Sequence, residues 1–237
     1  SSSIHFENKI LLTIGTGDRD RTKNSEAAID KNFHYGKIIQ IDKKKLENKK
    51  IDLKIFTLGH RNPQGITKVN EKIFSVEHGP KGGDELNDIV EGKNYGWPVV
   101  SYGTRYITDN SGKSILINHE TNGFQEPMFA LIPSVGISSV NKCPEILKDY
   151  YKKNCLIALS MYGNALRPGK SLIIFLLNEN MDRVHSVEKI YFGKLDNLRF
   201  RHFVTNKKNE LFEDKNGSIY VSADNKGIYK ITFSNFR

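Results

Sequence analysis

The chain has 237 residues, 38% of them hydrophobic and 27% charged, enough to bury a sizeable core with an ordinary globular balance. No run approaches the roughly 18 consecutive apolar residues that a membrane span requires. Lys and Arg number 36 against 27 Asp and Glu, a formal charge of +9, but the lysines gather with asparagine in Lys43-Lys44-Lys45, Lys49-Lys50, Lys152-Lys153 and Lys207-Lys208 and are not interleaved with aromatics, which describes a solvated surface and no nucleic-acid partner.

The chain opens on Ser1-Ser2-Ser3 and enters an apolar run almost at once, a start that reads as processed or truncated. Short runs rich in Ile, Leu, Val, Phe and Tyr then recur between turn signals. They predict strands over 10–14, 36–41, 53–57, 72–77, 137–140, 156–159, 172–177, 187–192, 218–222 and 227–233. His5-Phe6 reads as the end of a strand. Only Ser25 to Phe33 and Asp84 to Glu91 have the composition of short helices. Cys143 and Cys155 lack zinc-site spacing, and a disulfide between them is allowed but not forced. Asn216-Gly217 and Asp224-Asn225-Lys226-Gly227 are hairpin turns between the last strands. The pattern is all-β, and periodicity alone does not separate a sandwich from a propeller.

Three polar, glycine-punctuated blocks stand out at the ends of these runs: Gly59-His60-Arg61-Asn62-Pro63-Gln64-Gly65, then Glu77-His78-Gly79-Pro80 with Asp84-Glu85-Leu86-Asn87, then Gly92-Lys93-Asn94-Tyr95-Gly96-Trp97-Pro98. Loops of this kind face ligands. Arg61 offers a permanently charged fork for a carboxylate or quinone oxygen, with amides from Asn62 and Gln64 beside it. The alternative is a structural loop in which Arg61 pairs with Glu77 or Asp84. Gly79-Pro80 can aim backbone carbonyls at a hard cation, and Glu85 and Tyr95 add further oxygens. Arg199-Phe200-Arg201 on a strand puts both cations on one face, where an anionic guest or a neighbour such as Asp196 or Glu213 would answer them.

Together these blocks resemble the glucose/sorbosone dehydrogenases, soluble quinoproteins, and within them the aldose sugar dehydrogenase branch, which shares the Glu-His-Gly-Pro wording. The resemblance runs from about Leu11 to Ile231. It implies a six-bladed β-propeller of the quinoprotein glucose dehydrogenase type. The chain would be a single domain over 1–237 covering about four blades, with further blades expected upstream. It implies oxidation of an aldose at C1 with hydride transfer to pyrroloquinoline quinone (PQQ), an external electron acceptor, and a periplasmic or secreted location; a homodimer is left open. Arg61, Asn62, His78, Arg199 and Arg201 match quinone contacts, with Arg61 the catalytic candidate. Carbonyls of Gly79 and Pro80 match ligands of the cofactor-linked calcium, and Glu85 and Tyr95 those of a second calcium.

The chain also departs from the family pattern. His202 stands where an acidic residue is expected, Tyr162 where a lysine is, and Ala223 where a threonine is, while Ser134 keeps a hydroxyl. The family's general-base histidine lies upstream of a Gly-Asp pair; before Gly17-Asp18 this chain has only His5, too close for that role, so the base is expected outside it. These departures sustain a rival expectation, a non-catalytic, calcium-braced propeller that binds a carbohydrate or protein.

Overall fold

The computed structural model describes residues 2–16, 25–104, 118–162, 170–192 and 198–236. The expected Gly17-Asp18 pair and Asp196 lie outside them. Among the described residues, fifteen strands form four sheets, each of which runs through consecutive strands. The first contains β1 (Ser3–Phe6), β2 (Lys9–Ile14), β3 (Lys37–Asp42) and β4 (Leu53–Leu58). The second contains β5 (Pro63–Val69), β6 (Lys72–Glu77), β7 (Asp84–Asp88) and β8 (Phe129–Leu131). The third contains β9 (Ile137–Lys142), β10 (Cys155–Ser160), β11 (Ser171–Leu177) and β12 (Val184–Tyr191). The fourth contains β13 (Phe200–Phe203), β14 (Ile219–Ala223) and β15 (Gly227–Ile231).

The chain divides into two compact units, residues 1–66 with 73–134 and residues 67–72 with 135–237. In the first, Ile4, Leu11, Ile38, Phe56, Ile66, Ile73 and Tyr95 pack into one core. In the second, alternate residues of β10 and β11 (Ile157, Leu159, Leu172, Ile174) pack with Phe200, Ile219 and Val221. Both strands are buried throughout, which is why their sequences run apolar without alternation. Cys143 and Cys155 are joined in a disulfide beside the β9–β10 pair, deciding what spacing left undecided.

Asp84 to Glu91 is not helical. Asp84–Asp88 is β7, paired with β6 and β8, and its Asp84, Glu85, Leu86 and Asn87 are all buried. A strand whose polar side chains are mostly internal has no apolar alternation to reveal it. Of Ser25 to Phe33, only Glu26–Ala28 forms a helical turn, of the 3-10 type. The sequence reading missed two short helices, α1 (Lys43–Glu47) and α2 (Glu145–Tyr151). The first buries nothing and is held by Asp42, whose side chain accepts from the Lys45 amide. The Asn216-Gly217 turn forms, with Gly217 at φ 73°. Asp214 nucleates it by accepting from the amides of Asn216 and Ser218.

Candidate active site

In the first unit, the three glycine-punctuated blocks meet. Gly59 has φ 77°, and a Cβ there would fall 2.0 Å from Asn94 Oδ1 and 2.5 Å from the Gly96 amide nitrogen, so this crossing of two loops requires glycine. The Tyr95 amide donates to the Leu58 carbonyl and the Trp97 amide to the Gly59 carbonyl, both at 2.9 Å, which ties the third block to the first. A link between the second block and the first runs from the His78 amide to the Asn62 carbonyl at 3.1 Å.

Arg61 is only 7% exposed. Its backbone amide donates to Glu77 Oε2 at 2.8 Å, and its carbonyl accepts from the Thr16 amide at 2.8 Å and the Thr16 hydroxyl at 3.0 Å. With both ends of its peptide pinned, the guanidinium is aimed by the backbone. It lies 5.3 Å from the centre of the Trp97 ring, and Nη1 donates to the carbonyls of His78 at 3.1 Å and Gly79 at 2.8 Å. Asn62 donates to His78 Nδ1 at 3.3 Å and accepts from Gln64 at 2.9 Å. The structure thus brings Arg61, Asn62 and His78 into one cluster.

Beneath it is a buried polar layer. Glu77 accepts from His60 Nδ1 at 2.9 Å and Asn87 Nδ2 at 3.0 Å, and His60 makes a second hydrogen bond to the Thr57 hydroxyl at 2.8 Å while stacking on Tyr95 at 4.5 Å. Burial pushes the Glu77 carboxyl up, but His60 and the backbone amides of Arg61 and Asn62 outweigh it, leaving Glu77 below the usual carboxylate value. Glu85, linked to the same Asn87 amide at 3.3 Å, goes the other way: burial and then the Glu77 charge hold it well above the usual value. Two carboxyls shifted in opposite directions therefore share an asparagine. Arg61, Glu77, His78, Gly79, Glu85, Tyr95 and Trp97 help to line a small cavity of ≈ 10 Å³, measured as room for the centre of a water-sized sphere, enough for about one water molecule. The buried indole Nε1 of Trp97 finds no partner among the described residues.

Of the four expected calcium ligands, Gly79, Glu85 and Tyr95 line this cavity. The Gly79 carbonyl already accepts from the Arg61 guanidinium, a cation that would repel a second one. The Tyr95 hydroxyl donates to the Asp88 carbonyl at 2.6 Å and accepts from the Val90 amide. Among the described residues, no group of three or more His, Cys, Asp or Glu side chains is placed to hold a metal ion.

In the second unit, Arg199 and Arg201 do share a face, with Phe200 turned into the core against Phe192 and Tyr229. The anion that answers them is Asp224, from the β14–β15 turn, and not Glu213, whose carboxylate accepts from the Glu145 amide. Arg201 Nε lies 2.7 Å from Asp224 Oδ1, and Arg199 Nε 3.8 Å from Oδ2. Tyr162 is exposed and Ala223 buried.

The profile of the family described as Glucose / Sorbosone dehydrogenase matches residues 1–229. The chain belongs to that family. It is 28% identical over 149 residues to an aldose sugar dehydrogenase of Escherichia coli, covering 57% of this chain and 38% of that protein. It is 56% identical over 48 residues to quinoprotein glucose dehydrogenase B of Acinetobacter calcoaceticus, 20% of this chain and 10% of that protein. A crystal structure of glucose dehydrogenase superposes with a TM-score of 0.70 at 23% identity, covering 95% of this chain and 61% of that one. The fold is therefore the quinoprotein glucose dehydrogenase β-propeller, with the four sheets as blades. The chain spans well under half the length of these two sequence relatives.

Sequence reasoning passed over His60, Asn87 and Asp224. His60 lies inside the first block, and a histidine three places before Pro63 carries no signal of its stacking on Tyr95. Asn87 falls in the segment with helical composition and Asp224 in a hairpin turn, so neither reads as part of a site.

Proposed function

We propose that this chain supplies the quinone-facing part of a dehydrogenase that oxidises an aldose at C1. The observation that carries the reading is the cluster of Arg61, Asn62 and His78, donors from two separate blocks held together over a buried polar layer. The donor chemistry fits an anionic, oxygen-rich ring system, and the Trp97 N–H without a partner is a further donor at the same place. When bound, pyrroloquinoline quinone supplies the hydride acceptor. Arg61 would hold and polarise it as the catalytic residue, and Asn62 and His78 would orient it; Arg199 and Arg201 enter only through their likeness to family quinone contacts. Calcium enters only through the likeness of Gly79, Pro80, Glu85 and Tyr95 to family ligands, and no step is routed through it.

We place the general base outside this chain: His5 lies within β1, paired with Ile10 and exposed. On this reading, the chain by itself is inactive, residues 1–237 form a single propeller domain, and an external acceptor reoxidises the cofactor. The disulfide supports a periplasmic or secreted location, since such bonds persist in oxidising compartments. Among the described residues, no helix is long and apolar enough to cross a membrane.

Titration of the whole protein with quinone, followed by dye reduction with aldoses, tests the proposal. Stoichiometric change in quinone absorbance, abolished by Arg61→Ala, is expected. No binding and no dye reduction would defeat it and favour the second reading, a non-catalytic propeller. That reading draws support from the guanidinium of Arg201 already being engaged by Asp224.

A further inference from the structure

Lys37, the first residue of β3, has no exposed surface. Its ammonium donates to three carbonyl oxygens of one preceding loop: Ala27 at 2.6 Å, Ala28 at 2.9 Å and Tyr35 at 2.8 Å. An ammonium has three donors, so its whole capacity is spent on residues 27–35. Strand pairing does not require a cation here, because Lys37 sits between Ile14 of β2 and Leu58 of β4, positions an apolar residue could equally occupy. Burying a cation is costly unless each donor is satisfied. The lysine pKa falls to about 8 through burial, opposed by Asp30.

The same loop is the scaffold on which the Arg61 segment rests. The Ala28 carbonyl also accepts from the Gly59 amide at 2.8 Å, and the Gly36 carbonyl accepts from the His60 amide at 3.1 Å. There is no slack between the two segments. A Cβ on Gly36 would fall 2.5 Å from both Ala28 Cβ and the His60 carbonyl oxygen. Moving Ala28 therefore moves Gly59 and His60, and Arg61 follows directly in the chain.

We propose that Lys37 is a positioning residue for the Arg61 site, a tethered cation that gathers the carbonyls of the 27–35 loop and so sets the platform for Gly59 and His60. The consequence for cofactor binding rests on the quinone reading above, whereas the clamp itself does not. Without the ammonium, three carbonyls crowd one another around an apolar tip, and the loop has reason to open.

The test uses Lys37→Met in the whole protein, alongside Lys37→Cys alkylated with 2-bromoethylamine while unfolded and then refolded. The alkylated side chain restores an ammonium at lysine length. The described residues contain no free cysteine, so with the disulfide left intact the new thiol is the target. Hydrogen exchange at the Gly59 and His60 amides and quinone affinity are both read. We expect exchange and dissociation constant to rise about tenfold in Lys37→Met and to return with the aminoethyl side chain. Unchanged exchange at both amides would overturn the clamp, whatever the quinone does. Faster exchange with quinone affinity unchanged would overturn the positioning role. If the unmutated protein takes up no quinone, the functional reading fails while the exchange data still decide the clamp. Should Lys37→Met not fold, Lys37→Gln, which keeps two donors and loses the charge, carries the same readouts.

Discussion

Glu77→Gln tests whether the buried carboxylate holds the site together. Glu77 is 3% exposed and accepts hydrogen bonds from the Arg61 amide, His60 Nδ1 and Asn87 Nδ2. A glutamine fits the same space but has only one oxygen. Its NH₂ must face either the Arg61 N–H or the His60 and Asn87 donors, stranding at least one donor for about 1–3 kcal/mol. Removing one partner of a buried pair costs about 3–5 kcal/mol, and because glutamine keeps one acceptor the lower end applies, about 3 kcal/mol at neutral pH. For a protein of this size that is a fall in Tm of roughly 6–12 °C. The pH dependence adds a second constraint. Because the folded Glu77 carboxyl lies below its unfolded value of 4.5, its contribution is fully present above that pH and is lost as pH falls through the folded pKa. The gap between the two proteins, followed by urea denaturation, should therefore be constant from pH 7 down to about 5 and narrow in stronger acid. A loss below about 1 kcal/mol, or a gap that ignores pH, would refute the reasoning.

The lysine clamp gives the same pH sign in an alkaline window. Since burial depresses the folded Lys37 pKa to about 8 from 10.5, the unfolded chain holds the proton more tightly between those values, and stability should rise with pH across that window. The rise is at most about 3 kcal/mol, and denaturation of wild type beside Lys37→Met should show it only in the former. The Cys143–Cys155 disulfide closes a loop with a sequence separation of 12. Cys155→Ser should lower stability by about 3 kcal/mol, and reductant should destabilise wild type but leave the variant unchanged in thermal scans.

How much of this was legible beforehand depended on whether the determining contact was local. Buried strands such as Leu172–Leu177 announced themselves, because a stretch of apolar residues too short for a membrane span has few other uses. The hairpin at Asp224-Asn225-Lys226-Gly227 did so through residues suited to positive φ; Asn225 is at 54° and Gly227 at 105°. β7 escaped because Asp84, Glu85 and Asn87 are polar yet internal: Asp84 accepts from the Gly79 amide and Asn87 donates to Glu77, contacts that a hydrophobic period does not register. Lys37 is the same failure at one residue. A lysine at the start of a strand reads as surface, and only the return of the 27–35 loop over it supplies the three carbonyls.

From the sequence alone came the all-β class, the glycine-punctuated blocks and, through their wording, the family. Those depend on short-range sterics and on the particular residues that a shared site requires. The tertiary structure alone decided that Arg61 donates to the Gly79 carbonyl, that Asp224 answers Arg199 and Arg201, that the Glu77 carboxyl is held below and the Glu85 carboxyl above the usual value, and that the cysteines are bonded. Each of these is a contact between distant segments or a balance of burial against charge, and such balances exist only once the chain has folded.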